Sequence, residues 1–66
     1  MQTSVSGNEL RVGDVISLRR KFKEGIMRFN YVVVKVTEKR IGIRLQAVVT
    51  GKIQYVTKNR GYTLVL

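Results

Sequence analysis

The chain has 66 residues, 13 Lys and Arg against four Asp and Glu, and a net charge of +9. That length allows one domain with a thin core. Because cysteine and histidine are both absent, disulfides and the common structural zinc sites are excluded as reinforcement. Tight β packing, a second copy of the chain or a bound ligand are the routes to stability left open.

Residues 1–8 are polar and lack the apolar stretch of a signal peptide, so they read as a flexible N-terminal tail. Residues 9–14 lead into the domain, which extends over 9–66, with a turn at Gly13-Asp14. The first strand is expected over 15–22: Ile16, Leu18 and Phe22 share one face, and Ser17, Arg19 and Lys21 the other. Arg20 interrupts the apolar face, which predicts a bulge or an exposed strand end. Lys23-Glu24-Gly25 closes a hairpin in which Gly25 supplies a positive φ. The second strand, 26–37, is long enough to bend as strands do in a curling sheet. Its Tyr31-Val32-Val33-Val34 is the longest uninterrupted apolar run, far short of the ~20 residues of a membrane span. After a turn at 38–40, residues 41–50 alternate most cleanly, with Ile41, Ile43, Leu45, Ala47 and Val49 on one face. Gly51 ends that run, and 52–57 with 62–66 read as a last hairpin across 58–61. Five short antiparallel strands predict an all-β fold, a small barrel of the SH3-like or OB-like kind.

Catalytic chemistry finds little material. There is no histidine or cysteine, and Glu9, Asp14, Glu24 and Glu38 are scattered over turns with no carboxylate pair for acid/base work. The single glycines form no phosphate-binding loop. The expectation is a protein that is not an enzyme and uses no cofactor or metal. What the sequence does supply is cations interleaved with aromatics. Arg19, Arg20, Lys21 and Lys23 gather at one hairpin end; Lys39 and Arg40 lie at another turn, and Lys58 and Arg60 at a third. Arg44, Lys52, Tyr55 and Tyr62 fill out the C-terminal half. Cations attract phosphates, and tyrosine faces can stack unpaired bases.

Residues 51–65, running from Gly51-Lys52-Ile53-Gln54-Tyr55 through Lys58-Asn59-Arg60-Gly61-Tyr62 to Val65, resemble the first hairpin of cold-shock domains. That resemblance implies an OB-type barrel binding single-stranded nucleic acid. It implies Tyr55 and Tyr62 as stacking residues, with Lys52, Lys58 and Arg60 near phosphates.

The functional expectation is a nucleic-acid-binding protein, for DNA or RNA, with little sequence preference. The alternative is a small regulator or inhibitor that docks on an acidic protein surface. Apolar Val32, Val33, Val34 and Val48 lie on both faces of their strands, which leads us to expect a homo-oligomer. A cytoplasmic location and no membrane partner are expected.

Overall fold

The structure, a computed structural model, describes residues 2–65. Six strands form one antiparallel sheet in the order β1-β6-β2-β3-β4-β5: β1 (Gln2–Ser6), β2 (Val15–Phe22), β3 (Gly25–Val36), β4 (Arg40–Leu45), β5 (Gln54–Thr57) and β6 (Gly61–Val65). A single 3₁₀ turn, Gly7–Glu9, follows β1, capped by the Ser6 hydroxyl accepting from the Asn8 amide. No helix among the described residues is long and apolar enough to cross a membrane.

The sheet curls into a half-barrel around side chains selected by the two-residue period of its strands. Ile16, Val33, Ile41 and Ile43 are fully enclosed, with Leu10, Tyr31 and Tyr62 nearly so. Burying each large aliphatic side chain contributes about 1.5–3 kcal/mol, so these few residues hold most of the fold. Leu18, Phe29, Leu45, Val56 and Leu64 border them. Residues 10–14 are pinned to β3: the Gly13 amide donates to the Val33 carbonyl at 2.8 Å, and the Val33 amide donates to the Asp14 carbonyl at 2.8 Å. Gly13 and Gly25 sit at φ 101° and 135°, a region closed to most side chains. The positive φ expected at Gly25 is therefore present.

The all-β class is as expected, and several finer expectations change. Five strands become six because Gln2–Ser6, read as tail, pairs with β6 along its whole length. Val5 is the one apolar residue in that segment, too little to signal alternation. Met1 and Leu66, the outer ends of the expected tail and last strand, lie outside the described residues. The third strand stops at Leu45 instead of Thr50. The Gln46 amide still donates to the Asn30 carbonyl at 3.0 Å, but two turns follow, closed by Val48 to Leu45 and Gly51 to Val48 backbone bonds. Before Asn30, β3 pairs with β2 alone, so the alternation of Ala47 and Val49 has no strand to lie against. Residues 52–57 and 62–66 do not form a hairpin: β5 pairs with β4, while β6 pairs with β1 and β2. The turn between them carries the chain from one edge of the sheet back beside β2, a Greek-key return. Of the two alternatives expected at Arg20, β2 has the exposed strand end, Arg19 to Phe22, and no bulge. The irregularity falls in β3 between Val33 and Lys35, where the long strand bends.

Candidate nucleic-acid interface

β6 accompanies β2 only over Val15, Ile16 and Ser17. Beyond Ser17 the two strands part, and the opening between them, bounded on the far side by β5, forms a cleft of about 650 Å³. Arg19, Arg20, Arg28 and Arg60 line it, and among the described residues no carboxylate does.

Each arginine is placed by a definite local cause. Arg20 follows Ile16 and Leu18 in the register of β2 that faces the core, at the strand's exposed end. Its Nε donates to the Tyr31 hydroxyl at 3.0 Å and its Nη2 to Gln54 Oε1 at 2.6 Å. The guanidinium carbon lies 5.7 Å from the Tyr31 ring centre; since Nε is bound to the hydroxyl, the group sits at the ring's rim and the hydrogen bond is the stronger tie. Arg20 thus bridges from β2 to β5 across the open seam. Arg28 lies diagonally across the ladder from Ser17, and its Nε donates to the buried Ser17 hydroxyl at 3.0 Å. Arg60 stands 5.0 Å over the Tyr62 ring. Arg19 is register-paired with Arg28, a like-charge opposition that costs roughly 0.2–1 kcal/mol.

The acceptors for Arg20 and Arg28 are a phenol, an amide and a hydroxyl, all neutral. The guanidinium groups are therefore oriented without being neutralised, which leaves a focused positive potential in a concave site. Such an arrangement suits an anion carrying several oxygens, because planar guanidinium forks match phosphate geometry.

Of the residues singled out from sequence, the cleft gathers Arg19, Arg20, Arg60 and Tyr62. Lys21 and Lys23 continue along the exposed end of the β2–β3 hairpin. Lys39 and Lys58 meet elsewhere, the Lys58 amide donating to the Lys39 carbonyl at 3.2 Å, beside a shallow depression that also includes Glu38. Arg40 opens β4. Arg44 Nη1 reaches the Leu45 and Val48 carbonyls at 3.5 Å each, bracing the loop that carries Lys52. Arg28 and Tyr31 were missed. Arg28 was legible once the hairpin turn was fixed, because pairing Phe22 with Gly25 sets Arg19 opposite Arg28.

The two tyrosines expected to stack are placed differently. Tyr62 is 4% exposed, its hydroxyl donates to the Thr57 carbonyl, and its ring carries Arg60. It is a core residue and a shelf for a cation, without an open face for a base. Burial raises its phenol above the usual 10.0, against a smaller lowering by Arg60. Tyr55 is 47% exposed on the opposite face of the sheet, lying along Gly42, where a Cβ would come within 3.2 Å of its ring. The paired platform implied by the cold-shock resemblance is therefore not assembled by these two residues, which do not share a hairpin. No cluster of three or more His, Cys, Asp or Glu suited to a metal ion occurs among the described residues. Comparisons of the chain with protein-family models, curated proteins and solved structures find no match.

Proposed function

We propose that this protein binds nucleic acid with little sequence preference, holding the phosphate backbone in the arginine cleft. The observation that carries this reading is the convergence of Arg19, Arg20, Arg28 and Arg60 on one opening that no carboxylate lines among the described residues. The Arg19–Arg28 opposition supports it, because a stability cost between facing cations is offset when an anion sits between them. The protein acts without catalysis or cofactor, in the cytoplasm, on a small barrel of the SH3-like or OB-like kind. Self-association belongs to the proposal as well, supported by β1 and β5, the outer strands of the sheet, each of which leaves one edge without a strand partner among the described residues.

Fluorescence anisotropy of labelled oligonucleotides against salt tests the reading. With Z phosphate contacts, log K should fall against log salt with a slope of roughly −0.9Z on duplex and −0.7Z on single strands. Arg28→Ala should weaken binding to all sequences alike and reduce the slope by about one unit. Absence of binding at ~50 mM salt overturns the reading and transfers the cleft to an acidic protein surface.

A further inference from the structure

Past Ser17 on β2 and before Asn30 on β3, the two strands pair with each other only among the described residues. The result is a two-stranded ribbon whose unsupported length, from Leu18 to Phe22, is about 17 Å at 3.4 Å per residue. Every residue from Arg19 to Arg28 is exposed. That stretch holds five cations and one acid, yet it also presents Phe22, Ile26 and Met27 at 45, 62 and 54% exposure. The register places Met27 opposite Arg20 and Ile26 opposite Lys21, so the two faces of the ribbon each carry an apolar side chain beside a cation. Phe22 is held edge-on against Phe29, ring centres 6.0 Å apart, which stiffens a ribbon that would be marginal alone. Three of the cleft's arginines, Arg19, Arg20 and Arg28, belong to this same ribbon, so the cleft and the tip form one continuous surface.

We infer that the β2–β3 ribbon is a wedge for double-stranded DNA: the cations clasp phosphates on either side of a groove, and the aliphatic side chain on the face turned to the duplex, Ile26 on one face or Met27 on the other, inserts at a base step and kinks it. This rests on the nucleic-acid reading above. Charge complementarity selects a polyanion, and exposed aliphatic side chains at a protruding tip are suited to wedging between base pairs, whereas flat aromatic platforms serve unpaired bases. A wedge needs little base-edge readout, in keeping with weak sequence preference.

The test uses a duplex labelled at both ends for energy transfer, with the double variant Ile26→Ser/Met27→Ser. Both positions are exposed, so the variant should fold, and circular dichroism verifies this. The expected result is a bend of roughly 20–90° with the native protein and none with the variant. The variant should bind about tenfold more weakly with an unchanged salt slope. Native binding with no bend, equal for both proteins, overturns the wedge while leaving phosphate binding in the cleft intact. Failure to bind either DNA or RNA, with capture instead by vesicles containing anionic lipid and loss of that capture in the variant, overturns both.

Discussion

Gly7 lies directly against the backbone of Lys58. A Cβ at position 7 would come within 2.8 Å of the Lys58 Cα and carbonyl carbon and closer still to its oxygen. The Gly7 amide meanwhile donates to the Arg60 carbonyl at 2.8 Å. The end of β1 and the turn that returns the chain to β6 are thereby locked together.

Gly7→Ala should destabilise the fold by about 1–3 kcal/mol, since backbone has to move to admit the methyl group. Gly61→Ala is the control: its Cβ would meet only the Val5 carbonyl, at 3.8 Å, and should cost nothing or stabilise by up to about 1 kcal/mol. Urea unfolding of the two variants compares them. Equal destabilisation would remove the close approach as the cause.

Ser17→Ala separates orientation from charge. Its hydroxyl is buried and holds Arg28 Nε, so its loss should cost about 1 kcal/mol of stability. Arg28 keeps its charge but loses its tether. Affinity for nucleic acid should therefore fall several-fold while the salt slope remains near the native value. An unchanged affinity would mean that the tether does not position the guanidinium.

Alkaline stability should report on Tyr62. Its folded pKa is raised above 10.0 by burial, so between the unfolded and folded values the unfolded chain binds fewer protons. Stability is then full below about pH 10 and declines as pH rises through the raised folded value. Tyr62→Phe should start about 1 kcal/mol lower, having lost the bond to the Thr57 carbonyl, yet decline less steeply over that range. Parallel curves for the two proteins from about pH 9 to about pH 11 would contradict this assignment.

The strands whose side chains alternate between core and solvent were legible from sequence, because Ile16/Leu18 and Ile41/Ile43 report a local period. The partners of β5 and β6 were not. A short polar turn between two strands reads as a hairpin whether or not the strands pair, and the deciding contact, Gly7 against Lys58, spans most of the chain. Arg20 marks the exposed strand end that its interruption of the apolar face allowed, but its acceptors, Tyr31 and Gln54, are distant in sequence and leave no local signal. The basic hairpin was readable as a feature, but its concave setting came from the parting of β2 and β6, which no local pattern encodes.

The ladder joining Gln2 to Val65 also governs the order in which the molecule can assemble. β1 has β6 as its one ladder partner, so it stays without a sheet neighbour until the last strand is in place. Closing so long a loop is entropically expensive and slow. The β2–β3 hairpin has no such wait, since its register is set by a turn of two residues. The ribbon that carries most of the cleft's arginines thus draws on the most local pairing in the chain, and the enclosure of the core on the most remote.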